Sequence, residues 1–153
     1  MVKQRRNLME TKDNAEFLTN QGWFEAVLDE PVILRGNSAI EALDGFLGWI
    51  GERKIYVYGL QKGKYDNIDY RVVDSFATIP TVKVGNLTVT TFEQTVNELL
   101  GDWETVDNQP LVEALCRYYF LNGESWDGLN IWDSNESIFK TAGKWAIESA
   151  VMQ

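Results

Sequence analysis

Histidine is absent from this chain of 153 residues, and cysteine occurs once, at Cys116. The lack of histidine excludes histidine-based catalytic triads and most transition-metal sites. A single thiol cannot form a disulfide framework, and Cys116 lies in an apolar helical run without an activating base. We therefore expect a buried structural thiol in a cytoplasmic protein, where thiols stay reduced.

Long apolar runs and targeting signals are also missing. No stretch approaches the length of a membrane span, and the basic start lacks the apolar segment of a signal peptide. No repeat, low-complexity tract or linker divides the chain. We predict a flexible basic N-terminus over residues 1–12 and a single domain over residues 13–153, with no membrane association.

Positive charge is scarce, because 14 Lys and Arg face 23 Asp and Glu, which leaves a net charge of −9. The first twelve residues are locally basic, so the rest of the chain is more acidic still. Such a body would repel nucleic acid, whose binding requires cations that neutralise phosphates. We expect no direct DNA binding. A DNA mimic or a protein that docks on a basic partner remains open, as does simple solubility.

The segment GNLTVTTFEQTVNELLG, residues 85–101, encodes a strand, a cap and a helix in order. Its first part alternates as a half-buried strand does. Thr91 and Gln94 have the spacing of a capping box, in which each residue bonds the backbone N–H of the other. Helical spacing of apolar residues follows, and Gly101 is predicted to take the left-handed conformation that ends the helix.

The rest of the chain predicts an α+β fold with a helical C-terminal third. We expect a small mixed or antiparallel sheet packed with about four to five helices. Asn37 or Ser38 is predicted to cap a helix, and Asn108 or Asp107 another. The predicted elements are a helix over 13–20, strands over 23–27, 32–34, 54–60 and 68–74, a hairpin of 81–84 with 87–90, a helix ending near 123, an irregular segment over 125–134 and a helix from about 135.

Three linked pieces of this chain resemble the effector part of the AbiEi-type antitoxins of type IV toxin–antitoxin systems. They are the helix GNSAIEALDGFLGW, the strand pair IYVYGL and IDYRVVD, and the segment VGNLTVTTFEQTVNELL, with a looser match through LVEALCRYYF. The match covers roughly Val32 to Tyr119. Residues before it are too few for the family's winged helix, and Gln94 and Asn97 stand where the family often has arginine and aspartate. The resemblance implies opposition to a toxin of the nucleotidyltransferase type, without DNA binding.

No residue pattern predicts catalysis, so we assign no catalytic residues, no metal ligands and no cofactor. Carboxylate pairs such as Asp102 and Glu104 lack a phosphate loop or nucleophile beside them. Tyrosines near Lys54, Lys62, Lys64 and Arg71 form a basic and aromatic strip, the one place where a nucleotide contact is thinkable.

An irregular acidic segment provides the candidate partner-binding residues. These are Trp126, Asp127, Trp132 and Asp133. Aromatic rings supply buried area at a protein interface, and carboxylates steer a basic partner. The alternative is that both rings fill the gap between the last two long helices.

The sequence therefore predicts a non-enzymatic, antitoxin-like interaction protein that opposes a protein partner. The alternative is a phage-encoded acidic inhibitor, an anti-CRISPR or other anti-defence protein of the DNA-mimic type, that occupies the nucleic-acid channel of a host nuclease.

Overall fold

The computed structural model describes residues 30–44 and 54–151. The predicted basic N-terminus, the helix over 13–20 and the strand over 23–27 lie outside these ranges. Within them the chain forms five strands and four α-helices. In order they are β1 (Val32–Leu34), α1 (Gly36–Asp44), β2 (Ile55–Gly59), β3 (Ile68–Val72), β4 (Thr81–Val84), β5 (Leu87–Thr90), α2 (Phe92–Gly101), α3 (Gln109–Leu121) and α4 (Glu136–Val151), with a short 3₁₀ turn over Asp133–Asn135 before α4.

The five strands form one mixed sheet in the order β3-β2-β1-β5-β4. β1 pairs with β2 antiparallel and with β5 parallel, through the register Leu34 to Val57 and Leu34 to Val89. β2 and β3 are parallel, although only residues 60–67 join them. This connection is shorter than the helical crossovers that usually link parallel strands. The mixed sheet followed by helices confirms the predicted α+β class.

Two apolar clusters hold the layers together. The first contains one face of the sheet, with Leu34, Val57 and Val89 almost fully buried, and it includes Ala39 of α1. The second joins the four helices and includes Ile40 of α1. Because neighbouring residues of α1 enter different clusters, this helix connects the sheet to the helical layer. Cys116 is free and half-buried, and it packs against the second cluster, where the sequence predicts a buried thiol.

Polar side chains on the opposite face of the sheet contact α2. The hydroxyl of Tyr58 donates a hydrogen bond to Glu98 at 2.5 Å. The hydroxyls of Thr90 and Thr95 lie 2.6 Å apart, and both side chains are fully buried. These polar pairs connect the sheet to α2 on the face that also buries Ile33.

The hairpin and the helix boundaries largely follow the sequence prediction. β4 and β5 pair around Gly85, whose φ of +59° is the left-handed value that a tight two-residue turn requires. α3 ends at Leu121, followed by the left-handed Gly123, and α4 begins at Glu136. Residues 125–132 contain no helix or strand, as predicted.

Several predicted helix caps are wrong in detail. α1 already begins at Gly36, so Asn37 and Ser38 lie inside the helix and bond to distant partners instead. Thr91 does accept the N–H of Gln94 at 3.2 Å. The Gln94 side chain, however, donates to Glu98, while the N–H of Thr91 donates to the carbonyl of Pro80. The second half of the capping box is therefore replaced by a bond of Gln94 within α2 and a tertiary bond of the Thr91 N–H.

Of two further predicted helix ends, the one at Gly101 is wrong and the one at Asp107 or Asn108 is confirmed for Asp107. Gly101 stays within α2 and does not take a positive φ, because Asp102 ends the helix. Asn108 occupies the cap position of α3 without a side-chain cap bond. Asp107 performs that task, since its carboxylate accepts the N–H of Gln109 at 3.0 Å.

Candidate partner-binding surface

The segment between α3 and α4 begins with a sharp reversal of the chain. Gly123 and Glu124 both have left-handed backbone conformations, with φ of +69° and +57°. The side chain of Asn122 then donates to the carbonyls of Ser125 and Asp127, and the hydroxyl of Tyr118 also donates to Asp127. These bonds fold the start of the segment back onto the end of α3.

Trp126 lies in an aromatic cluster between α3 and α4. Its ring is parallel to that of Tyr118 at a centroid distance of 6.3 Å, contacts Tyr119 at 4.8 Å and meets Phe139 edge-on at 5.1 Å. Gly143 of α4 provides the space, because a Cβ there would approach the indole to 3.3 Å. Of the two readings that the sequence left open, gap filling describes the position of Trp126.

Asn97 of α2 fixes the second part of the segment. Its side-chain NH₂ donates to the carbonyls of Glu93 and Asn130, and its oxygen accepts from the N–H of Trp132 and the amide of Asn135. An asparagine side chain has two donor hydrogens and two acceptor lone pairs, so all four are used. The residue is 1% exposed, and such buried, satisfied polar groups hold a single backbone geometry.

Further bonds from α2 support the same contact. The carboxylate of Glu93 accepts the N–H of Asn130 at 2.8 Å, and the amide of Asn135 also donates to the carbonyl of Asn97 at 2.9 Å. Sequence spacing carries no signal for this role, because Glu93 and Asn97 of α2 reach Asn130 and Asn135 only across more than thirty residues of chain.

The side chains that face solvent in this segment are one tryptophan and several carboxylates. Trp132 remains 41% exposed, although its backbone is held by Asn97. Asp127 and Asp133 are exposed, as are Glu124 and Glu136. Among the residues that the structure describes, no lysine or arginine forms an ion pair with these four carboxylates. Of the four predicted site residues, three are thus presented to solvent, while Trp126 packs in the aromatic cluster between α3 and α4.

Charge is distributed unevenly over the fold. The helical part, residues 92–151, has 11 Asp and Glu against three Lys and Arg, a net charge of −8. The sheet and α1, residues 30–44 and 54–91, have six of each sign and are neutral. The acidic segment therefore belongs to a part of the fold with a large excess of negative charge. The lysines of the basic strip lie around the β2–β3 connection and line a shallow depression.

Two carboxylates near the sheet, Asp69 and Asp102, form ion pairs with arginines. Asp69 pairs with Arg35 at 3.1 Å and Asp102 with Arg71 at 3.3 Å. Within residues 30–44 and 54–151, no group of three or more acidic or cysteine side chains is arranged to hold a metal ion. No helix of the described part has the length and apolar character to span a membrane.

No protein-family model, curated protein or solved structure matches this chain.

Proposed function

We propose that the protein is an antitoxin-like interaction protein without enzymatic activity, and that its acidic helical surface docks on a basic partner protein. The observation that carries this proposal is the exposed indole of Trp132 on a backbone fixed by Asn97, with the carboxylates of Asp127 and Asp133 in the same segment. The resemblance of the sequence to AbiEi-type antitoxins supplies the class of partner, a toxin of the nucleotidyltransferase type.

Preorganisation is the physical argument for an interface here. Binding through a mobile loop loses affinity because side chains and backbone must be ordered on association. The hydrogen bonds of Asn97 order this backbone before any partner arrives. Tryptophan is among the residues that contribute most to binding energy when a partner covers them, and unpaired carboxylates accelerate encounter with a positive surface.

Growth rescue is the direct experiment. Cells that express the toxin encoded beside this protein should recover growth when the protein is co-expressed, while an empty vector should give no recovery. Persistent growth arrest with an active toxin and soluble, folded protein would contradict the antitoxin proposal.

Charge reversal tests whether the segment makes the contact. Asp127→Lys combined with Asp133→Lys should abolish rescue, and Trp132→Ala should weaken it. The matched control is Asp66→Lys combined with Asp74→Lys, which reverses two exposed carboxylates on the neutral sheet side. Equal loss of rescue in the control would indicate that total charge, rather than this surface, is responsible.

The charge of −8 on the helical part favours a second candidate, an inhibitor that occupies the nucleic-acid channel of a host defence nuclease. Such an inhibitor should compete with duplex DNA for the nuclease, and its affinity should fall steeply as salt rises because charge pairs are screened. Inhibition that is insensitive to both DNA and salt would count against the mimic.

A further inference from the structure

A polar cleft of about 240 Å³ lies where α1 begins, between the sheet and the end of α2. Arg35, Gly36 and Asn37 line it from the start of α1, Tyr56 and Arg71 from the sheet, and Asp102 from the end of α2. None of these residues belongs to the acidic segment between α3 and α4. The cleft is therefore separate from the docking surface and does not depend on the proposed function.

Arg35 is a buried cation held in one orientation. Its side chain is 8% exposed, its Nε donates to the carbonyl of Val57 at 3.3 Å and its Nη2 donates to Asp69 at 3.1 Å. The guanidinium also lies over the rings of Tyr56 and Tyr58, 5.5 and 5.7 Å from their centroids. A guanidinium has five N–H donors, so these bonds leave further donors for a ligand.

Arg71 brings a second guanidinium to the same cleft. It donates to Asp102 at 3.3 Å in a half-exposed pair. Burial lowers the pKa of Arg35, and the nearby charge of Arg71 lowers it further. Burial also lowers the pKa of Arg71, but Asp102 and the hydroxyl of Tyr58 outweigh it and raise the value overall. Each guanidinium has a carboxylate partner that also lines the cleft, Asp69 for Arg35 and Asp102 for Arg71. An oxyanion between the two cations would share them with these carboxylates through donors that the ion pairs leave over.

The N-terminus of α1 adds backbone donors. The N–H groups of Gly36, Asn37 and Ser38 have no acceptor within the described residues, and no acidic residue occupies the first turn. Such a terminus carries a partial positive charge and binds oxyanions.

Asn37 gives an independent sign of a missing ligand. Its side chain is buried, with the residue 5% exposed, and its NH₂ donates to the carbonyl of Asp107. Its oxygen Oδ1, however, is buried and has no hydrogen-bond partner within residues 30–44 and 54–151. A buried polar atom in this state is unfavourable, and a hydroxyl or amino hydrogen of a ligand would satisfy it.

We propose that this cleft binds the phosphate group of a small phosphomonoester. Arg35, Arg71 and the first N–H groups of α1 donate to the phosphate oxygens, because planar guanidinium groups and helix termini both match that oxyanion. Asn37 Oδ1 accepts a hydrogen bond from a hydroxyl or amino group on the organic part of the ester. The size of the cleft selects a small molecule over a nucleic-acid chain.

Asp102 competes with the phosphate for Arg71. The pair is half-exposed, and exposed ion pairs contribute little stability, so a phosphate displaces the carboxylate at small cost. This competition gives a test in which a substitution improves binding, which loss of structure cannot do.

The experiment is an NMR titration of the isotope-labelled full chain at constant ionic strength. The probes are inorganic phosphate, adenosine monophosphate and a hexose phosphate, with adenosine as the neutral control. The expected result is a saturable shift at the amides of Gly36 and Asn37 with the phosphate probes and none with adenosine. If adenosine monophosphate or the hexose phosphate binds more tightly than inorganic phosphate, the cleft also contacts the nucleoside or the sugar. Equal affinities of all three probes would show that the cleft binds the phosphate group alone.

Three variants locate the binding. Arg71→Gln should raise the Kd by about tenfold or more, since a charge-assisted bond is lost. Asp102→Asn should lower the Kd because the competing carboxylate is gone. Lys83→Gln, an equal loss of charge on the far edge of the sheet, should leave it unchanged. The proposal is overturned if the wild type shows no saturable shift at millimolar probe, if Lys83→Gln weakens binding as much as Arg71→Gln, or if Asp102→Asn weakens it.

Discussion

Asn97 accepts a hydrogen bond from the backbone N–H of Trp132 at 2.9 Å, so a residue inside α2 determines where an exposed tryptophan stands. The two lie 35 positions apart in the sequence. The same side chain donates to the carbonyl of Asn130. An aspartate at this position, as the AbiEi-type pattern often has, could accept the N–H but could not make that donation.

Asn97→Asp should therefore destabilise the protein by about 3 kcal/mol, because two donor bonds are lost and a buried carboxylate faces two carbonyls. Urea denaturation at neutral pH measures the change. Asn130→Asp is the control, since Asn130 is exposed and bonds through its backbone, and it should change the free energy of unfolding by less than about 0.5 kcal/mol. Equal effects of the two substitutions would refute the role given to Asn97.

Tyr58 should make stability fall at high pH. Burial, and then the hydrogen bond to Glu98 and its charge, raise the pKa of Tyr58 from 10.0 to about 12. The folded state thus holds the proton more tightly than the unfolded state, so the contribution is complete below pH 10 and is lost as pH rises through the folded value.

Denaturation of wild type and Tyr58→Phe across this range isolates the effect from other tyrosines. The difference in unfolding free energy between them should be constant below pH 10 and shrink as the pH approaches the folded pKa of about 12. A difference that stays constant or grows through this window would contradict the assignment.

The hairpin and the helix that follows it were predictable because their signals are local. Gly85 supplies the positive φ of the turn, and Thr91 caps α2 as its spacing indicates. The errors arise where another partner outcompetes the predicted one. Ser38 accepts the N–H of Tyr56 on β2 instead of capping α1, and Gln94 pairs with Glu98 on its own helix. Spacing alone carries no information about such competitors.

The two candidate sites also differ in how far the sequence alone predicts them. The acidic and aromatic segment was visible in the sequence because its residues are consecutive. The cleft was not visible in the sequence. Arg35 follows β1, Arg71 lies near the end of β3 and Asp102 follows α2, so the three residues meet only in the folded protein. The sequence places Arg71 in a basic strip, whereas in the structure Arg71 pairs with Asp102 at the end of α2.

Two glycines near helix ends should respond to alanine in opposite directions. Gly101 has a negative φ and open space around its Cβ position, so Gly101→Ala should stabilise α2 by about 0.5–1 kcal/mol. Gly36 has a φ of +57°, so Gly36→Ala should cost about 1–2 kcal/mol in backbone strain. Thermal unfolding ranks the two variants against wild type, and a stabilised Gly36→Ala would be inconsistent with the left-handed start of α1.

Alanine at Trp126 should lower the stability of the protein, whereas alanine at Trp132 should lower its affinity for the partner. Trp126 contacts three aromatic rings between α3 and α4, so Trp126→Ala should cost about 3 kcal/mol or more through the cavity it leaves. Trp132 is 41% exposed and held through its backbone, so Trp132→Ala should cost less than about 1 kcal/mol. The same Trp132→Ala protein should nevertheless lose about tenfold or more in affinity for the partner, because the indole is the group the partner covers. Chemical denaturation and titration with the partner measure both quantities on one preparation, and full affinity in Trp132→Ala would remove this residue from the interface.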